Sequence, residues 1–492
     1  MRRSMIVRFL KSSFFRSKLG KILSILKLHL LIQILHSKTA ISGLSILMIL
    51  IAMTIYAVIA IPLESFKQWN NPNYWIDYPK AAAPSWTNLG LFGPRYSEHI
   101  ILGTHDARVY SGSQNSIHII SHTYSVDFKY DSYPTDFMIP YSVKYGLVPP
   151  AIEVKVLRPD GHTFKIYDTA LPPGSAQPYL NPNYPKDNYN EYSGRIFSTD
   201  YLISKNLHDY LGFFAYPQDE SSPQVMIFSE LNSKKVLKGV YKFEETFYFF
   251  NDTDKVNESG LVLGGTVYGL MGTDDLRRDL SIGIFWGTPV ALFIGVTVSL
   301  SSVFIGLIYG VVAGYKGKRT DEALMRVNDL IVFLPALPIL ILITATLGRS
   351  IFIITVLLVI FGWAGATRVS RSLALQIKNL QYVEAARIMG ASDMRIIFKH
   401  IIPQLLPLTF ASIAIAVPGA ILAEAALSFL GLGDPTIPTW GQILHDANSA
   451  DAAARGLWWW IIPPGMMIAL TGLSFALIGK AIETHTDPLH RS

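Results

Sequence analysis

The sequence predicts a mainly α-helical, polytopic membrane protein of six spans, with a large β-rich, sandwich-like extracytoplasmic insert between spans 1 and 2. Three observations predict it. Half of the residues are hydrophobic, the mean hydropathy is +0.31, and several apolar runs reach the length a bilayer helix needs. Between the first two runs lies a long tract rich in Tyr, Pro, Asn and Ser, in which apolar and polar residues alternate with period two. Charge divides the same way: from Glu64 to Asp275 there are 17 Lys/Arg against 24 Asp/Glu, a net of −7, so the remainder of this +6 chain carries +13.

The elements follow in order. Residues 1–40 hold nine Lys/Arg and no Asp/Glu, interleaved with apolar residues near helical spacing. A basic cytoplasmic amphipathic segment on anionic lipid is one reading, and a basic tail without a dedicated role is another. A cleaved signal peptide fits poorly, because the basic region is long and no small-residue cleavage site follows. Residues 41–62 form the first transmembrane helix, with its apolar run from Ile41 to Ile61 closed by Pro62 and Glu64. The positive charge before it sets the N-terminus in the cytoplasm, so residues 63–271 lie outside.

That insert has no cysteine, so its core rather than disulfides must hold it. Ser125–Tyr130 alternates as a strand. Ala151–Leu157 and His162–Tyr167 alternate around Arg158-Pro159-Asp160-Gly161, which is hairpin chemistry. Val236–Phe250 reads as an aromatic strand pair, and Asn251 and Asn257 head glycosylation sequons. His118 and His122 read as strand residues rather than metal ligands, and no metal site is expected.

Residues 272–480 form the helical core with spans 2–6, and residues 481–492 are a cytoplasmic tail. The second span lies within Ile282–Tyr315, where Gly306, Gly310 and Gly314 share one helical face and permit close helix packing. The basic run Lys316–Arg319 belongs inside. The third span, Leu330–Leu347, is expected to kink at Pro335 and Pro338. The fourth covers Ile351–Ala366, and a basic loop from Arg368 to Lys399 follows on the cytoplasmic side. Within that loop a helix is expected to end at Gly390. A second helix, Met394–Lys399, starts behind a Ser392 or Asp393 cap, and Pro403 marks a turn back to the membrane. The fifth span, Leu406–Leu430, carries Glu424, for which a translocation role and a buried hydrogen-bonded role both stand. Trp458–Trp460 read as an interfacial aromatic belt ahead of the sixth span, which ends near Leu477.

The run Glu384-Ala385-Ala386-Arg387-Ile388-Met389-Gly390, with Ile402-Pro403 after it, resembles the E-A-A-x-x-x-G loop of ABC-importer permeases. The wider text to Pro407 resembles the dipeptide/oligopeptide permease family of binding-protein-dependent ABC importers. Gly272–Asp279 resembles that family's G-T-D-x-x-G-R-D segment, with Arg277 in place of Gly. Ala426–Gly433, Pro438–Gly441 and Asp487-Pro488-Leu489 resemble its later marks. The resemblance spans the first helix and Gly272 onward, and leaves the insert outside it.

It implies a type I ABC-importer permease fold, with Glu384, Ala385, Ala386, Gly390, Ala391, Ser392 and Asp393 in a coupling helix that docks on an ATPase subunit. The implied partners are a second homologous permease subunit forming a heterodimer, two ATPase subunits, an extracytoplasmic solute-binding protein and membrane lipid. No cofactor is bound by this chain, since ATP-Mg would be used by the ATPases. The implied activity is transport of peptides or oligosaccharides across the cell membrane by alternating access, without an ATPase site of its own; Gly314–Lys318 lacks phosphate-loop spacing. A nucleic-acid partner is disfavoured because the basic residues flank apolar spans. The insert reads either as a dock for the binding protein and its cargo or as a passive cap. A membrane-anchored receptor or enzyme working through its ectodomain is the rival class, although one span would serve it.

Overall fold

The computed structural model describes residues 37–486 apart from 90–94, 115–116, 147, 173–189, 212–221, 232 and 234. Most of the basic segment 1–40 and all of Asp487-Pro488-Leu489 lie outside the described residues. The chain divides into two compact units. One holds the chain through Asn70, Ile282–Ala453 and the segment from Ile461 on; the other holds Asn71–Ser281 with Ala454–Trp460.

Helix α1 (Lys38–Ala60) belongs to the first unit and is apolar on all sides, as a bilayer helix must be. Pro62 follows its C-cap at Ile61 and prevents continuation.

The second unit is built on two five-stranded sheets with antiparallel pairing. Its strands are β1 (Ile100–Leu102), β2 (Arg108–Gln114), β3 (Ile117–Phe128), β4 (Phe137–Tyr145), β5 (Ala151–Leu157), β6 (Thr163–Ala170) and β7 (Asn190–Phe197). Helices α2 (Tyr201–Leu211) and α3 (Pro223–Phe228) precede β8 (Gly239–Phe249), β9 (Lys255–Ser259) and β10 (Leu261–Leu263). One sheet runs β1-β10-β4-β7 with β9 also on β4; the other runs β2-β3-β8-β5-β6. Alternate residues of β4 (Phe137, Ile139, Tyr141, Val143) and of β8 (Tyr241, Phe243, Phe247, Phe249) enter one apolar core. Each such ring contributes about 1.5–3 kcal/mol by leaving water.

The expected hairpin is β5–β6. Arg158 N–H donates to His162 O at 2.9 Å, and Gly161 takes φ +87, which its missing Cβ allows. The Arg158 guanidinium is buried. It donates to the carbonyls of Met226, Ile227 and Ser229 at the end of α3, pairs with Asp160 at 2.7 Å and lies over Phe164. A cation there satisfies helix-terminal carbonyls and the helix dipole together.

Two strand expectations need correction. Val236–Phe250 is not a strand pair. It yields one strand, β8, whose partners are the distant β3 and β5, so no turn interrupts it. The alternation at Ser125–Tyr130 is the end of the longer β3, which stops at Phe128.

The first unit continues with α4 (Leu280–Lys316), α5 (Lys318–Phe333), α6 (Ala336–Leu347) and α7 (Ile351–Ile377). Then come α8 (Gln381–Ile388), α9 (Asp393–Ile396), a π-turn at Ile397–Ile401, α10 (Ile402–Phe429), α11 (Trp440–Ser449) and α12 (Trp458–Thr486). Among the described residues five helices are long and apolar enough to cross a membrane, or six if the pair α5 and α6 counts as one span. That pair is bent by 75°, and the break falls at Leu334-Pro335. The kink expected there is thus a sharp break, because Pro335 cannot donate an N–H and restricts Leu334 to extended backbone.

The fourth span runs on to Ile377, so Arg368 and Arg371 sit on a helix rather than in a loop. They pair with Asp329 and Asp321, which offsets part of the positive charge the sequence suggests for that face.

Glu245, on β8, is fully buried in the insert core, and neither carboxyl oxygen has a hydrogen-bond partner. Burial pushes its carboxyl well above the ordinary value of 4.5. The unfolded carboxyl ionises above that value while the folded one stays neutral. Glu245 therefore favours folding least as pH rises towards its folded pKa. We expect Glu245→Met to stabilise the full chain, with a gain that grows as pH rises from 4.5 towards the folded pKa, by about 1.4 kcal/mol per pH unit within that window, and levels off above it. Thermal unfolding at pH 5 and pH 7.5 checks this; a gain independent of pH contradicts it.

Candidate functional site

Gln381–Ile388 folds as a helix because Ala385 and Ala386 favour it and because Val383 and Ala386 give it one apolar strip. Both residues are buried, with Ile396, Ile397 and Ile401, against Leu307, Val311 and Tyr315 of α4 and Ala374 of α7. The helix stops at Gly390, which takes φ +81. Gly390 N–H donates to Arg387 O at 3.0 Å and Ala391 N–H to Ala386 O at 3.1 Å, the paired bonds of a Schellman cap.

Ser392 occupies the N-cap of α9 but makes no side-chain capping bond. Asp393 instead accepts from the Tyr315 hydroxyl at 3.2 Å. The Arg387 guanidinium lies over the Tyr315 ring, 5.5 Å from its centroid. Glu384, Ala385, Gly390, Ser392 and Asp393 are exposed, and Ala391 is half-buried. Ile388 and Met389 are 81% and 80% exposed, which is a large apolar surface for a polar bend.

Pro403 does not turn the chain. The segment expected to be helical at Met394–Lys399 is one α-turn followed by the π-turn, which leads straight into α10. Pro403 falls in the first turn of α10, where its missing N–H is tolerated.

The glycine face meets α7. A Cβ at Gly306 would strike Trp363 O and Ala366; at Gly310, Arg371 N and Ser370; at Gly314, Arg371 O and Ala374. Mostly backbone lies opposite, so the two helices approach as closely as their main chains allow. Two polar locks hold the end of this contact nearest Gly314. Lys378 Nζ donates to Gly314 O at 3.0 Å, and Arg371 binds Asp321 through two bonds of 2.5 and 2.6 Å.

Glu424 is 3% exposed and accepts from Ser428 Oγ at 2.7 Å, one turn on. Beside it, Gly441 of α11 packs on the backbone of Ala425. The Trp440 indole donates to Ile284 O at 3.1 Å in space left by Gly287, so the Trp-Gly pair locks α11 against α4 and α10. An open cavity of about 300 Å³ lies among α4, α7 and α10. Small or hydroxyl residues (Gly362, Gly365, Ser370, Thr409, Ser412) and apolar ones line it.

In the β-rich unit, Arg277 has φ +66. This is the position where the resembling segment carries Gly, and the left-handed backbone explains that preference. The strain of about 1–2 kcal/mol is offset by a 2.7 Å bond to Tyr78 O and an ion pair with Asp136. Asp274 and Arg278 form a buried pair at 2.6 Å. Of the three tryptophans of the expected aromatic belt, Trp458 is exposed, Trp459 and Trp460 are buried, and the Trp459 indole donates to Thr273 O. His118 and His122 are engaged with Ser111 and Ser259 respectively. Sequence reasoning missed Tyr315 and Arg371; Tyr315 gives no sequence signal, whereas Arg371 could have been found as a charge at the end of an apolar run.

Residues 302–491 match the family described as binding-protein-dependent transport system inner membrane component. The dipeptide transport system permease protein DppC of Bacillus subtilis (strain 168) is 38% identical over 218 residues, 44% of this chain and 68% of that protein. The oligopeptide transport system permease protein OppC of the same organism is 36% identical over 218 residues, 44% and 70% of the two chains. The glutathione transport system permease protein GsiD of Pectobacterium atrosepticum is 33% identical over 242 residues, 49% and 78%.

The close contact between α4 and α7 generates a prediction. Gly310→Val must push backbone apart and should cost about 3 kcal/mol or more, beyond usual overpacking. Gly365→Ala, where an added Cβ meets nothing within 4 Å, should be near neutral. Thermal midpoints of the two purified variants check the contrast; equal midpoints would contradict the packing described.

Proposed function

This chain belongs to the family of binding-protein-dependent transport system inner membrane components, with the dipeptide and oligopeptide permeases, and from that premise we propose that it is the multi-pass subunit through which an ABC importer moves peptides into the cell. The observation that carries the reading is the bend at Gly390. It offers Glu384, Ala385, Ile388 and Met389 to a partner while Val383, Ala386 and Ile396 root it in the bundle. Peptide is favoured over oligosaccharide because the named relatives carry dipeptides, oligopeptides and glutathione.

Two partner ATPases bind and hydrolyse ATP-Mg, and one grips the bend from the cytoplasm. Force on α8 and α9 passes through their buried side chains to α4 and α7, and through the π-turn into α10. The path alternates between faces with a second permease subunit completing it. The cavity among α4, α7 and α10 forms part of that path, since its small uncharged lining leaves room for a peptide of any sequence. Both termini are cytoplasmic. The β-rich insert, sandwich-like and outside the cell, receives cargo from a solute-binding protein.

Uptake of a labelled tripeptide by reconstituted complexes tests this. Glu384→Lys should lower uptake about tenfold or more while the chain still folds. Gly365→Leu should narrow the cavity and lower uptake with ATPase binding intact. Undiminished uptake in both variants, or failure of the wild-type chain to bind ATPase subunits, removes the reading.

A further inference from the structure

The bend must transmit force in both directions, yet its turn is held by two backbone bonds and apolar packing with no side-chain cap. A Cβ at Gly390 would meet nothing within 4 Å, and Ser392 makes no capping bond. The two short helices on either side number eight and four residues, too few to hold an angle by themselves. Something outside them has to define it.

Beside that apolar packing, Tyr315 engages a polar side chain on each helix. Tyr315 lies in the last turn of α4, is 6% exposed, and reaches across to the bend. Its ring faces Arg387 of α8 and its hydroxyl donates to Asp393 of α9, so the two halves of the turn are clasped from the same residue. The residue before it, Gly314, is pressed on the backbone of α7 and accepts from Lys378. Gly317 then ends α4 with φ +63. Tyr315 therefore projects from a fixed point of the bundle.

We propose that Tyr315 is a positioning residue that sets the angle between the two helices of the bend and couples the bend to α4. This inference rests on the importer reading, with Tyr315 acting through Arg387 and Asp393 rather than on the peptide. The hydroxyl sets the α9 side and the ring sets the α8 side. Loss of either loosens one half, and loss of both frees the turn to yield when an ATPase pulls on it.

The absence of cysteine from the chain permits a direct test. Nitroxide labels at Ile388→Cys and Met394→Cys, both exposed positions, report the distance across the bend in the full chain. The wild-type background should give one narrow distance distribution. Tyr315→Ala should add a second, longer population. Tyr315→Phe, which keeps the ring, should broaden the distribution without splitting it. Asp393→Asn, which keeps an acceptor, should resemble wild type. In reconstituted complexes, Tyr315→Ala should raise ATP hydrolysed per labelled tripeptide taken up by about fivefold or more. An unchanged distance distribution in both Tyr315 variants overturns the inference, and so does an unchanged ratio. If Tyr315→Ala does not fold, the Phe variant alone decides by the same criteria. If the wild-type chain binds no ATPase, the importer reading fails, while the label distances still decide whether Tyr315 holds the bend.

Discussion

The whole end of the helical unit that carries the Gly390 bend depends on how closely α4 and α7 approach. Three glycines remove side chains from one face of α4, and mostly backbone of α7 fills the space. In lipid there is no hydrophobic gain from bringing two apolar helices together, so close van der Waals contact has to supply the association. With the helices in register, Lys378 reaches Gly314 O and Arg371 reaches Asp321. With those bonds made, Tyr315 and the apolar patch around Val311 are held where α8 and α9 can dock. The bend is thus the last member of a series, each step of which needs the one before.

The insert is organised by a different constraint. A core filled with aromatic rings from both sheets leaves little freedom for polar groups. Those that remain are mostly engaged. Ser259 bonds both His122 and Tyr124 and so ties a residue of β9 to two of β3. Arg158 closes the end of α3, and Arg277 joins Asp136 and Tyr78. Glu245 departs from this pattern, since neither of its oxygens finds a partner.

Much of this was legible in the sequence because the signals are local. Apolar run length and charge located the helices, the Arg158–Gly161 turn located its hairpin, and Gly390 located the helix end. What was not legible depends on residues far apart in the chain. The aromatic run at Val236–Phe250 looks like a pair until β3 and β5, about a hundred residues upstream, are seen to supply its neighbours. Pro403 looks like a turn because its restriction on Ile402 is real in general. A π-turn just ahead of it delivers the chain in helical geometry all the same. Trp458, Trp459 and Trp460 look alike in the sequence, but the first is exposed and the other two are buried, a difference that composition does not report. The candidate site was half legible: the motif named Glu384 to Asp393, while Tyr315, some seventy residues earlier, carries no motif.

The π-turn has one more consequence. A helix that closes one ring with five residues instead of four carries a spare residue, which rotates everything beyond it by about 100° relative to an uninterrupted α-helix. The side of the chain that grips the bundle at Ile396, Ile397 and Ile401 and the side that α10 presents deeper in the bilayer are therefore phased independently. Such a spare residue works like a splice between two lengths of cable: the contacts made at Ile396, Ile397 and Ile401 place no demand on which face the following helix turns to its neighbours.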